Sequence, residues 1–305
     1  MTRFPHDQFA KQYLQSLLTP LGHVEVSKEV PGEARQIDLF FHPSLTPETN
    51  PQELGLLGDL AATPCLFEPY RNPPTPTDVR NCLLKLFLVH ANLQRQANRD
   101  DDPLPEADLP RLWILSPSAS ESWLTQLATT PAPEPWTSGV YFLAPVLRAG
   151  VVVINQLPVT HQTLWLRLLG KGQVQKQAIE EVLGLPSSEA RRGDILRLLA
   201  SWKITLEGSG VVDAEEGELM VTLSQAYQAY VELEERTRQE ALQQGMQTER
   251  RATVENILRS RFGELDDRLL TIIEPLLSLS AQDYAQQLPL LFTLSRETLL
   301  DRFEA

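Results

Sequence analysis

The run "RLWILSP" (111–117) constrains the fold more than any other stretch. Leu112, Trp113, Ile114 and Leu115 follow one another with no polar residue between them. A strand with one wet face alternates apolar and polar side chains, so an uninterrupted apolar strand is one covered on both faces. A sheet built around it needs a layer on each side. The segments "GVYFLAP" (139–145) and "VVVINQLP" (151–158) read as further strands, and 121–129 as a helix between the first two.

Upstream, residues 5–18 read as a helix, with Pro5 in the first turn and Ala10, Tyr13, Leu14, Leu17 and Leu18 on one face. Two strand-like runs follow, 23–30 and 34–41, and the short Pro31-Gly32-Glu33 link predicts an antiparallel hairpin. In the second run Ile37, Leu39 and Phe41 alternate as one face, and Asp38 shares the other with Gln36 and Phe40. Aspartate is a poor strand former, so Asp38 is either a solvated surface residue or one placed for chemistry. Residues 42–64 form a Pro-rich insertion with a short helical stretch at 54–62, and 64–74 supply a third strand. Thr75-Pro76-Thr77-Asp78 is a helix start: a Thr cap, Pro at the first position and an acid three residues on. That helix is expected to reach Ala97, with Val79, Cys82, Leu83, Leu86, Phe87, His90 and Leu93 on one face and Lys85 outside that stripe. The first 160 residues thus predict an α/β or α+β core, a central mixed sheet flanked by helices.

From Thr163 onward the pattern is all-helical. Segments 173–185 and 191–206 read as two packed helices, 218–262 as one long helix, and 264–279, 281–288 and 295–304 as short amphipathic ones. Leu219, Leu223, Ala226, Tyr230 and Leu233 keep a 4-3 spacing, which predicts a short coiled-coil seam and a homo-oligomer through the 218–262 helix. The expected organisation is a sheet domain at 1–160, a helical connector at 161–215, a long helix at 216–250 and a small helical domain at 251–305.

The chain has 305 residues, 42% of them apolar, and a formal net charge of −13. The size suits more than one folding unit. The charge argues against broad coating of nucleic acid, which needs many Lys/Arg contacts to phosphate, though not against a local site. No apolar run approaches the ~18 residues of a membrane span. The N-terminal residues lack the apolar core of a secretion signal, and Cys65 and Cys82 read as reduced thiols. A cytoplasmic protein without membrane contact is therefore expected.

Three acids stand out: Asp7 in the first helix, Asp38 in the second strand and Glu68 in the third. Carboxylates from three elements can converge on a divalent cation, and hard oxygen donors suit Mg2+. Each also has an ordinary reading. Asp7 suits a helix's first turn, Asp38 a solvated sheet face, and Glu68 an ion pair with Arg71. Arg35 and Arg71 are equally phosphate contacts or salt-bridge partners. His90, on an apolar helix face, reads as a core histidine; the tryptophans at 113, 123, 136, 165 and 202 read as core or interface residues. No GxSxG or HExxH is present, which removes serine-hydrolase and zinc-protease readings.

The order "HDQFAKQYL" … "QIDLFF" … "FEPYR" resembles the core of the PD-(D/E)XK nucleases, more narrowly the bacterial recombination-promoting nuclease and transposase group. In that family a His-Asp pair opens the first helix, as in His6-Asp7; a strand aspartate follows, matching Asp38; a neighbouring strand carries a glutamate, matching Glu68. The resemblance covers residues 4–155 and implies a Mg2+-dependent DNA endonuclease. Asp38 and Glu68 would be its metal ligands, Asp7 a supporting acid and Arg71 a phosphate contact. The family's lysine, two residues after the glutamate, is Tyr70 here, and the nearest bases are Arg71 and Lys85. The alternative is a nuclease-fold protein without activity that serves oligomerisation or partner binding. "VENILRSRFGELDDRLLTIIEPLLSLS" is similar to a small helical domain of unknown function that often trails these proteins, with Gly263 as a helix stop.

Overall fold

In the computed structural model, which describes residues 5–29, 36–209 and 214–303, helix α1 (Pro5–Leu18) leads into strands β1 (Gly22–Glu29) and β2 (Gln36–Pro43). The expected turn at Pro31-Gly32-Glu33, and Arg35 after it, lie outside the described residues. The insertion folds as a 3-10 turn and helix α2 (Leu56–Leu60). Then come β3 (Cys65–Pro69), α3 (Pro76–Asp100), β4 (Arg111–Ser116), α4 (Glu121–Gln126), β5 (Thr130–Pro131), β6 (Val140–Phe142) and β7 (Ala149–Val153). The strands form one mixed sheet in the order β1-β2-β3-β4-β7-β6-β5. β1, β2 and β3 are antiparallel neighbours, as are β7, β6 and β5; β3-β4 and β4-β7 are parallel. Parallel neighbours need a crossover, and between β3 and β4 α3 provides it.

Both faces of the sheet are covered, as the LWIL run required. Leu39, Phe41, Phe67, Trp113, Leu115 and Val152 share one core with α1. Phe40, Leu66, Leu112, Ile114, Val151 and Val153 share the other with Val79, Cys82 and Leu86 of α3 and Leu124 of α4. The Thr75 cap is realised in both directions: Asp78 N–H donates to Thr75 Oγ1 at 3.2 Å and Thr75 N–H to Asp78 Oδ2 at 2.8 Å. α3 runs three residues past the expected Ala97, and the expected stripe is too wide, since Phe87 is exposed. His90 is half-buried with Nε2 2.8 Å from the Pro110 carbonyl, a satisfied histidine. The short β5 has no counterpart in the sequence reading, because two residues give no periodicity.

Trp113 is nearly inaccessible; its indole N–H donates to the Leu60 carbonyl at 2.9 Å, and its ring lies against Gly150, its register partner on β7. A Cβ on Gly150 would stand 2.3 Å from that ring. Gly150→Ala is therefore expected to lower the unfolding free energy by about 1–3 kcal/mol through overpacking, checked by urea denaturation.

The helical region continues with α5 (Leu164–Arg167), α6 (Gln173–Gly184), α7 (Ala190–Ser209) and α8 (Ala214–Phe262). The helices α5, α6 and α7 contribute Leu164, Ile179, Leu199 and Trp202 to the same core as α1, where Trp202 stacks on Phe9 at 4.4 Å between ring centroids. The expected coiled-coil seam is corrected here. Leu219, Leu223 and Ala226 are buried in that core and Tyr230 packs against it. The spacing of these four serves burial within the chain, while Leu233, the fifth residue of the expected seam, is half-buried and not part of that core.

The chain divides into two compact units at Tyr230/Val231, inside α8. The second unit packs Val254, Ile257 and Leu258 of α8 with α9 (Asp267–Thr271), α10 (Ile273–Leu277), α11 (Ala281–Gln287), α12 (Leu290–Thr293) and α13 (Arg296–Phe303) around its own apolar core. Gly263, at φ +81°, ends α8 as expected, its N–H donating to the Arg259 carbonyl at 3.0 Å. No described helix is long and apolar enough to cross a membrane.

Candidate active site

β2 and β3 pair Leu39 with Phe67, Phe40 with Leu66 and Phe41 with Cys65. Extending that register by one residue sets Asp38 opposite Glu68, so two acids thirty positions apart become neighbours. On the other side of β2 the ladder runs from Val26↔Leu39 to Lys28↔Ile37 and skips Ser27 and Asp38. Ser27 has φ +54°, a left-handed conformation that interrupts a regular strand. The alternation of β2 breaks at the same point. Ile37 belongs with Phe40 in the α3-side core while Leu39 and Phe41 belong in the other. The expectation of one continuous Ile37/Leu39/Phe41 face is thus corrected at Asp38.

At the position the ladder skips, the Asp38 backbone N–H donates to Glu68 Oε1 at 3.4 Å. Glu68 is 2% exposed, and its Oε2 accepts from Lys85 Nζ of α3 at 2.6 Å. Lys85 also donates to the Gln36 carbonyl at 3.0 Å. Asp38 Oδ1 accepts from Lys11 Nζ of α1 at 2.7 Å, and Lys11 reaches Asp7 Oδ2, one helical turn before it, at 3.2 Å. The two lysines come from helices on opposite faces of the sheet and meet the acids at its end.

Burial, then the charge of Asp38, pushes the Glu68 carboxyl up to about 7, against the downward pull of Lys85. A carboxyl poised there exchanges protons near neutral pH. Burial pulls the Lys11 ammonium down, but its hydrogen bond to Asp38 and the charges of Asp38 and Asp7 outweigh that and raise it. Beside Glu68, the Tyr70 hydroxyl meets Cys82 Sγ at 3.1 Å; burial and the charge of Glu68 push that thiol up to about 12.

The structure therefore joins Asp38 and Glu68 directly and brings Asp7 in through Lys11. Arg71 is directed elsewhere: its Nη1 donates to Gln175 Oε1 at 3.2 Å and the Gly170 carbonyl at 3.4 Å. Glu68 pairs with Lys85, and not with Arg71 as its ordinary reading supposed. Lys11 stood in the motif "HDQFAKQYL" without a role assigned to it, although its i,i+4 spacing from Asp7 was a signal. Lys85 was named from the sequence, with Arg71, as one of the bases nearest Glu68, and as a charge outside an apolar stripe.

Among the described residues no three His, Cys, Asp or Glu side chains gather as a metal-ligand set. Mg2+ commonly uses only one or two carboxylates and keeps several waters. Asp38 and Glu68 fit that smaller requirement: both are hard oxygen donors, and the field of Asp38 on Glu68 is one that a divalent cation would relieve. Scans against protein-family models, curated proteins and solved structures found no match to this chain.

Proposed function

We propose that this end of the sheet is the active site of a PD-(D/E)XK-type nuclease that hydrolyses DNA phosphodiesters with Mg2+, related to recombination-promoting nucleases and transposases. The observation that carries the reading is Lys85 Nζ at 2.6 Å from Glu68. Tyr70 stands where the family's lysine would stand, and α3 supplies an ammonium to the same glutamate from another element. Asp38 and Glu68 would hold the metal, which when bound supplies electrostatic stabilisation of the charge developing on the phosphodiester. Lys85 orients the attacking water and offsets the negative charge around it. Lys11 fixes the Asp38 carboxylate and adds positive charge where a phosphate would approach. Arg71, engaged with Gly170 and Gln175, has no part in this reading.

Plasmid nicking in the presence of Mg2+ tests it. Glu68→Gln and Lys85→Met are expected to slow nicking by at least about 10²-fold, the lower range for loss of a preorganised electrostatic group, with the fold confirmed by circular dichroism. Nicking that persists unchanged in both variants would overturn the assignment.

One observation favours a second reading, a nuclease fold without activity. Each carboxylate already accepts a short bond from its own lysine, Asp38 from Lys11 and Glu68 from Lys85. On that reading the cluster is structural, and wild-type protein shows neither nicking nor Mg2+ binding by calorimetry.

A further inference from the structure

At the other end of the parallel strands from Glu68, β4 and β7 begin side by side. Their register pairs Leu112 with Ala149, which places Arg111 beside Arg148 one residue earlier. Both arginines line a cleft of about 710 Å3, a volume within the roughly 300–1,000 Å3 of small-molecule sites. Three rings line it with them. Trp113, Trp136 and Phe142 contact one another at centroid distances of 5.7, 5.8 and 5.6 Å. Trp136 and Phe142 are only half-buried, so ring surface is presented to the cleft.

The two guanidiniums are unusual in their surroundings. Arg111 lies over the rings of Phe142 and Trp113, at 5.1 and 5.6 Å from their centroids. Arg148 donates to the carbonyls of Ala107 and Leu109, which are neutral acceptors. Among the described residues neither is in an ion pair. This chain holds 40 acidic against 27 basic residues, so carboxylates are plentiful, yet none neutralises this adjacent pair. Burial, and then the charge of Arg148, lower the Arg111 pKa, as an uncompensated cation pair should. Asp59 also lines the cleft, an acceptor suited to a donor group on a ring.

We propose that this cleft binds a planar aromatic ligand bearing one anionic group, with the phosphate or carboxylate held by Arg111 and Arg148 and the ring stacked on Trp136. Guanidiniums match both anions in planar, bidentate geometry, and an indole face is a stacking platform. The site is separate from the Asp38/Glu68 cluster and does not depend on its function.

Calorimetric titration of the full chain with AMP, anthranilate, adenosine and inorganic phosphate tests the assignment. Either AMP or anthranilate is expected to bind with Kd below about 1 mM, and which of them binds more tightly distinguishes a phosphate from a carboxylate ligand. Adenosine, the ring without the anion, and phosphate, the anion without the ring, are expected to bind at least about tenfold more weakly than AMP if AMP is the ligand. Arg111→Gln and, separately, Trp136→Leu are each expected to weaken binding at least about tenfold, while Glu68→Gln leaves it unchanged. Absence of binding by both AMP and anthranilate, or binding indifferent to Arg111→Gln and Trp136→Leu, would overturn the proposal.

Discussion

Lys85→Met is expected to lower the unfolding free energy by about 3–5 kcal/mol at pH 8, the range for stranding one member of a buried ion pair, and by much less at pH 5. The difference lies with Glu68. Its folded carboxyl titrates at about 7, above the ordinary 4.5, so the folded protein binds this proton more tightly than the unfolded chain. Such a group favours folding at low pH, and the stabilisation is lost as pH rises from 4.5 through about 7. At pH 5 Glu68 is protonated with or without Lys85, so little charge is stranded. Above 7 the native protein holds a carboxylate compensated at 2.6 Å by the ammonium, and the variant does not. Removing Lys85 also removes a downward influence on Glu68, which carries the loss to still higher pH. Urea titrations at pH 5 and 8 measure both numbers; an equal loss at the two would show that Glu68 is not the group being stranded.

Glu181→Ala is expected to cost about 3–5 kcal/mol across neutral pH, again for a stranded buried charge. Here the stranded group is Arg167, 1% exposed on α5. Its Nη1 and Nη2 donate to the two oxygens of Glu181 on α6 at 2.8 and 2.6 Å, a bidentate pair. Nε reaches Thr163 Oγ1 at 3.1 Å and Nη2 the Thr160 carbonyl at 2.9 Å, and both remain in the variant. The double variant Arg167→Met, Glu181→Ala removes the stranded charge and is expected to regain part of the loss. A double variant less stable than Glu181→Ala alone, in the same urea assay, would show that packing of Arg167 and not its charge governs this position.

Strand-rich and helix-rich halves were legible because periodicity is a direct image of burial. The LWIL run, the Thr75 cap and Gly263 each announced one local geometry that the structure realises. The stripe at Leu219, Leu223 and Ala226 was read correctly as apolar, but spacing records that a face is covered and not by what, and these residues pack within the chain. The same limit applied to the acids. That Asp38 and Glu68 would meet depends on strand register across an insertion, which no local spacing records. Lys85 and Lys11 reach them from separate helices, and no spacing in the sequence encodes that approach. The Arg111/Arg148 cleft was invisible for a similar reason: its parts are contributed by α2, β4, β6, the loop before β6 and the turn leading into β7.

The left-handed Ser27 has a consequence for association as well. β1 is one rim of the sheet, and its pairing with β2 is interrupted at Ser27 between Val26 and Lys28. The other rim, β5, is two residues long, and its Pro131 has no N–H to offer. Exposed strand rims are where foreign strands add and where chains assemble into fibrils. One rim here is interrupted at Ser27 and the other is two residues long, so neither offers an added strand a long unbroken template.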